Sequence, residues 1–294
     1  MNCVALDLDQ IRPDQIDPAI GYGTFACVSR IAGTSLAVKV PFDEASHHIR
    51  IEQRIYERLG EHHLILKYHR QAVFLSGGQT TPVLLLQFLE AGTLEKSLNT
   101  PCWIQRRLEW LLQVAEAVAY IHSKTVIHCD VGCHNFLVQD NGTLALCDFG
   151  GSSIDGSEIL EFPKPRYARP RPRLGEKPDV KDDIFALGTA LYEISTGQTL
   201  YKGKSDKEIA ALFRSHTYPD LQQLSPPGLG EIIRRCWSER YAVAEQVVCD
   251  LRKVLPDFAC SALRPELRHG RLSTKLLWAT SLLSIFALYI FLSA

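Results

Sequence analysis

No C-x-x-C pair occurs among the nine cysteines of this 294-residue chain, and no signal peptide is visible at its start. Both absences argue against a disulfide framework, so the cysteines are expected to be reduced thiols in a cytosolic domain. Cys129, Cys133 and His134 offer metal-ligating atoms, but they lack the second half-site that a zinc centre needs. No charge of one sign dominates either. The formal net charge is −1, which gives no reason to expect nucleic acid as a partner. Internal repeats and low-complexity tracts are missing too. What remains is an ordinary globular composition, 46% apolar and 22% charged, enough for one large domain or two small ones.

The C-terminus stands apart. LLWATSLLSIFALYIFLSA, from Leu276 to Ala294, carries no charge, and as a helix it would measure roughly 28 Å, near the thickness of a bilayer's hydrocarbon core. Arg264, Arg268, Arg271 and Lys275 precede it, a basic flank suited to a cytoplasmic face. The alternative is a buried terminal helix. The pattern favours a transmembrane tail anchor at 276–294 behind a basic linker at 259–275, with the rest of the chain cytosolic. The organelle is left open.

Upstream, strand-like runs occur near Ile16 to Ile20, Cys27 to Ile31 and Ser35 to Val40, with a turn at Gly33. The periodicity predicts a helix over Ser46 to Leu59, then a hairpin of AVFL and VLLLQFL about a GGQTTP turn. Beyond Gly92 helical patterns take over. They run from Trp103 to His122, Asp182 to Thr196, Asp206 to Ser215, Glu231 to Trp237 and Val243 to Val254. Two short strands, Phe136 to Val138 and Leu144 to Cys147, flank an Asn141-Gly142 turn, and a Pro/Arg-rich loop covers Phe162 to Pro178. A small β-rich part followed by a larger α-rich part, with a seam near Glu90 to Gly92, predicts two lobes with a cleft between them.

HCDVGCHNFLVQDNGTLALCDFGG, residues 128–151, places three polar side chains in apolar surroundings. Asp130 and Asn135 share the loop after the long helix, and the hairpin folds Asp148 back beside Asn135. Asn135 and Asp148 are oxygen donors suited to Mg²⁺, which takes few protein ligands and completes its shell with phosphate and water. Asp130 is then free to orient a hydroxyl or accept its proton. Any one of these residues alone would be an ordinary turn-former.

HCDVGCHN resembles the H-R-D-x-x-x-x-N catalytic loop of the eukaryotic-type protein kinase superfamily, and CDFG resembles its D-F-G. IGYGTFACV (20–28), LAVK ending at Lys39, IEQRIYERL with Glu52, LLQFLEAGTL (85–94) and DIFALG (183–188) resemble further signatures in the family's order. The wording around the catalytic loop is similar to divergent fungal serine/threonine kinase-like proteins. The resemblance implies an α+β bilobal fold over 16–258, with an N-lobe at 16–90 and a C-lobe at 91–258, after an N-terminal extension at 1–15. It implies ATP and Mg²⁺ as cofactors and a protein substrate. Ile20, Gly21, Gly23, Val28, Ala37, Leu86, Leu89 and Leu137 would surround the nucleotide. Lys39, oriented by Glu52, would hold the α and β phosphates. Asn135 and Asp148 would hold the metal, Asp130 would serve as catalytic base, and Asp183 would cap the catalytic loop from beneath. Ser152, Ser153, Ser157 and Tyr167 are candidate phosphosites by position alone, and Cys147 would line the nucleotide site as a small apolar filler.

Four departures weigh against full agreement. Ala26 replaces the third loop glycine, and Cys129 replaces the arginine before the catalytic aspartate, so activity should not require activation-loop phosphorylation. Gly132 stands where serine/threonine kinases carry a lysine for the γ-phosphate. Arg171 falls at the place of the glutamate closing the activation segment, with Ala244 near its partner's, so both halves of that ion pair should be missing. The alternative is a pseudokinase, a nucleotide-binding or scaffolding module. The sequence does not specify oligomeric state.

Overall fold

A computed structural model of the chain describes residues 8–42, 47–98, 100–159, 162–170 and 177–255. The first part is a six-stranded sheet of β1 (Gln10–Ile11), β2 (Ile16–Tyr22), β3 (Ala26–Ile31), β4 (Leu36–Pro41), β5 (Tyr68–Ser76) and β6 (Gln79–Gln87), in the order β1-β5-β6-β4-β3-β2. Three of the expected strands, near 16–20, 27–31 and 35–40, are present within two residues of their ends, while the two strands of the expected hairpin each begin about four residues earlier. Side chains alternate between the two faces, and this decides where Lys39 points. Val38, Val83 and Leu85 enter a small core with Ile11, Ile31 and Ala72, while Leu84 and Leu86 join the main core on the opposite side. Ala37 lies opposite Leu86 and Lys39 opposite Leu84, so Lys39 shares the face that meets α1 (His47–Leu59). β1, within the expected N-terminal extension, pairs in parallel with β5 and buries Ile11 fully.

The larger part contains α2 (Leu94–Ser97), α3 (Pro101–Ser123), α4 (Val180–Thr196), α5 (Asp206–Arg214), α6 (Leu229–Trp237) and α7 (Ala244–Val254). It also contains the strand pairs β7 (Val126–Ile127) with β10 (Ser153–Ile154), and β8 (Phe136–Val138) with β9 (Leu144–Leu146). α3 packs on α4 and α7, and α4 packs on α6. At Gly188 a Cβ would lie 2.7 Å from the Cβ of Cys236 on α6, closer than side chains approach. Gly188→Ala is therefore expected to pry α4 from α6 and lower stability by about 1–3 kcal/mol, as read by denaturant melting.

The expected transmembrane anchor is corrected here, together with the membrane localisation and membrane partnership built on it. Among the described residues no helix is long and apolar enough to cross a membrane. α3 has the length, at 23 residues, but carries Arg106, Arg107, Glu109 and Glu116. The segment 276–294 lies outside the described residues. A helix that is apolar all round can be buried in a large protein core as well as in a membrane, so an uncharged run does not by itself select lipid.

Candidate active site

Lys39 is the centre of the site. Its Nζ lies 2.6 Å from Glu52 Oε2 and 2.6 Å from Asp148 Oδ1. The three come from β4, α1 and the end of β9. Glu52 sits on the apolar face of α1 with Ile55, Tyr56 and Leu59, where an unpaired carboxylate would be costly. Its second oxygen accepts the Phe149 N–H at 3.2 Å. Burial alone would lower the Lys39 ammonium, but Asp148 and Glu52 together outweigh it and hold the amine above the ordinary lysine range. Burial raises the Glu52 carboxyl, with Lys39 pulling the other way. Lys39 lowers the Asp148 carboxyl against the effect of burial.

A stack of rings supports Phe149. It meets Tyr56 edge-on at 5.2 Å and His128 at 5.1 Å, while Tyr56 stacks on Tyr68 at 5.6 Å. This column joins α1 and β5 to the loop that carries Asp130. The loop is tied from below by the fully buried Asp183 on α4. Asp183 accepts the His128 N–H at 2.7 Å, the Cys129 N–H at 2.8 Å and a bond with His122 Nε2 at 2.9 Å. These bonds hold Cys129 at φ +68°, a conformation that non-glycine residues adopt at a cost. Asp148 carries the same kind of strain at φ +65°.

Asn135 and Asp148 are brought to adjacent ends of the β8–β9 hairpin, since the Cys147 N–H donates to the Asn135 carbonyl at 2.9 Å. Asn135 Nδ2 donates to the Asp130 carbonyl at 2.9 Å and to Asp130 Oδ2 at 3.0 Å. The Nδ2 contacts leave the amide oxygen as the donor atom for a hard cation, beside a carboxylate from Asp148. That donor set fits Mg²⁺. Cys129, Cys133 and His134 instead face three separate partners: the Ile127 carbonyl, the Ala190 carbonyl and the Asp130 carboxylate.

Gly23, Val28, Lys39, Glu52 and Asp148 line one cavity of about 50 Å³ beneath the β2–β3 turn. Phe25, at the tip of that turn, stacks on His48 of α1 at 3.5 Å, and His48 Nδ1 lies 2.9 Å from the Gly150 carbonyl. Ala37, Leu86 and Leu89 are buried, Val28 and Leu137 are half-buried, and Ile20 is exposed. A Cβ at Gly21, near the end of β2, or at Gly23, in the β2–β3 turn, would meet no neighbouring atom closer than 3.5 Å. Burial raises the Cys147 thiol and Asp148 raises it further, consistent with an inert filler.

A protein kinase domain model matches residues 15–255. The chain belongs to the protein kinase family. A probable serine/threonine-protein kinase of Dictyostelium discoideum is 27% identical over 241 residues, covering 76% of this chain and 26% of that protein. Serine/threonine-protein kinase CTR1 of Arabidopsis thaliana is 26% identical over 242 residues, 76% and 29% of the two chains. Mitogen-activated protein kinase kinase kinase 18 of the same plant is 27% identical over 248 residues, 77% and 73%. This chain thus spans about a quarter of the length of the first two relatives.

Three features of this kinase domain escape a reading of its sequence. Arg169, whose side chain is 8% exposed, pairs with Asp182 at 3.0 Å, Asp179 at 3.0 Å and Glu239 at 2.9 Å. A cationic lock of reversed polarity therefore closes the activation segment where an ion pair was expected to be missing. The signal was the pair of acids, Asp179 and Asp182, at the start of α4. Second, Ser152, Ser153 and Tyr167 are buried and bonded to the His128 carbonyl, the Ser157 carbonyl and Glu193 respectively, so in this conformation they are closed to modification. Third, Arg58 of α1 grips Asp155 in two bonds of 2.9 and 2.8 Å and reaches Thr125 at 3.1 Å. It ties the start of the activation segment to α1 without any phosphate.

Arg58 and Thr125 hold the Asp155 carboxyl down to about 2. A depressed acid contributes stability above its unfolded value of about 3.9 and loses it as pH falls through the folded value. Carbon-detected NMR titration is expected to show Asp155 still ionised at pH 3, and Arg58→Gln should return it toward the ordinary carboxylate range.

Proposed function

We propose that this kinase domain transfers the γ-phosphoryl group of ATP to serine or threonine hydroxyls of a protein substrate. The carrying observation is the single amine of Lys39 within 2.6 Å of both Glu52 and Asp148, which aligns α1 with the metal-binding end of β9. In this reading Lys39 contacts the α and β phosphates, and Glu52 fixes its direction. Ile20, Gly21, Gly23, Val28, Ala37, Leu86, Leu89 and Leu137 enclose the nucleotide. Asn135 and Asp148 hold Mg²⁺, which neutralises charge on the phosphates when bound. Asp130 is catalytic base: it accepts the hydroxyl proton as the new oxygen–phosphorus bond forms and the β–γ bridge leaves with ADP. The serine/threonine preference is supported by the names of two of the relatives, both serine/threonine-protein kinases.

The test is transfer of labelled γ-phosphate by the full chain, to generic protein substrates and to itself, with and without chelation of divalent cations. Transfer that chelation abolishes supports the reading. Thermal stabilisation by ATP with no transfer at any substrate concentration would overturn it and make the domain a nucleotide-binding scaffold.

A further inference from the structure

The loop between Asp130 and Asn135 holds a residue that the family's pattern assigns no task. His134 Nε2 lies 3.0 Å from Asp130 Oδ2. A carboxylate oxygen only accepts, so Nε2 carries the proton in this bond. The same Oδ2 also receives Asn135 Nδ2 at 3.0 Å. Asp130 Oδ1 is buried and has no partner among the described residues. One oxygen of the carboxylate is therefore held by two donors while the other stands unengaged, a costly state for a buried acceptor unless a ligand completes it.

Gly132 explains how the imidazole reaches this place. Its backbone is extended, with φ at −176°, which any residue adopts, so the peptide conformation does not require glycine. Space does. A Cβ at 132 would sit 2.6 Å from His134 Cε1, 2.7 Å from Nδ1 and 3.1 Å from Tyr167 Cε1. The Tyr167 ring backs the imidazole at 5.2 Å and is itself fastened by its hydroxyl to Glu193 at 2.9 Å. Gly132 and His134 are thus one exchange: the ring fills the volume beside Asp130 that a side chain at 132 would take.

We propose that His134 is a positioning residue for phosphoryl transfer, donating from Nε2 to Oδ2 of Asp130 and so holding the carboxylate in one orientation toward the substrate hydroxyl, and that residue 132 is glycine to admit its ring. The inference rests on the kinase reading above. It predicts an effect on turnover rather than on nucleotide binding, since the ring touches the base and none of the groups assigned to ATP.

The full chain, His134→Ala, His134→Gln, Gly132→Ala and the Gly132→Ala/His134→Ala double variant are compared for kcat, KM for ATP and thermal midpoint. His134→Ala is expected to lower kcat about tenfold, the worth of one hydrogen bond to a charged group, with KM for ATP little changed. His134→Gln, which keeps a donor, should recover part of the loss. Gly132→Ala should lower kcat in the parent chain, and most of that loss should vanish in the His134→Ala background. Unchanged kcat in His134→Ala, or strictly additive losses in the double variant, would overturn the proposal. If the parent chain transfers no phosphate, the kinase reading fails by itself, and the thermal midpoints decide the placement. A Gly132→Ala loss relieved by His134→Ala supports it, and additive midpoints overturn it.

Discussion

Lys39→Ala is expected to lower phosphoryl transfer by at least about 10²–10³-fold and to cost about 3–5 kcal/mol of stability. The first effect follows from removing the cation assigned to the phosphates. The second follows from what is left behind. Glu52 has a side chain only 1% exposed, and it would keep a single donor, the Phe149 N–H, for a buried charge. Breaking a buried pair from one side strands the other charge, which is worse than never having had it. The variant has one escape, protonation of Glu52, whose carboxyl burial already raises. An acid with a raised folded pKa favours the folded state most below its unfolded value, about 4.3, and loses that advantage as pH rises through the folded value. Denaturant melts at pH 5 and pH 8 should therefore show a smaller Lys39→Ala deficit at the lower pH. Lys39→Met, which keeps the apolar stem, separates lost packing from lost charge. Equal deficits at both pH values would contradict the account.

Asp183→Ala should be nearly as damaging, through the backbone. Its two oxygens satisfy the buried N–H groups of His128 and Cys129 and the ring of His122. Each stranded buried donor costs about 1–3 kcal/mol, so a total of roughly 3–5 kcal/mol is expected. The loss should also be felt in turnover. Cys129 sits at φ +68° immediately before Asp130, and the Asp183 bonds are what hold it there. Released, the loop relaxes and the base loses its aim. Hydrogen exchange at the His128 and Cys129 amides should rise sharply, and kcat should fall while ATP affinity holds. Asp183→Asn retains one acceptor oxygen and should fall between. Unchanged protection of those two amides would remove Asp183 from this role.

Most of the regular structure could be read from local pattern. α1 was expected over 46–59 and is found at His47–Leu59, and α7 was expected over 243–254 and is found at Ala244–Val254. Periodicity is a property of near neighbours, so it survives without knowledge of the fold. The misses have the opposite character. β1 and the β7–β10 pair are two-residue strands, too short to show any period. The Arg169 lock joins residues up to 70 apart. The transmembrane reading relied on an apolar run and its basic flank, without a partner surface to weigh against lipid.

The chain order of elements, the apolar faces and the presence of a lysine, a glutamate and two aspartates with an intervening asparagine follow from the sequence alone. They depend on spacing and side-chain chemistry, which folding does not alter. Tertiary packing decided that Lys39 meets Asp148 across 109 residues, that Oδ2 of Asp130 takes both His134 and Asn135 while Oδ1 is buried, and that an arginine closes the activation segment. Those choices turn on contacts a few ångströms wide between distant segments, and only a packed core can hold distant segments to that tolerance.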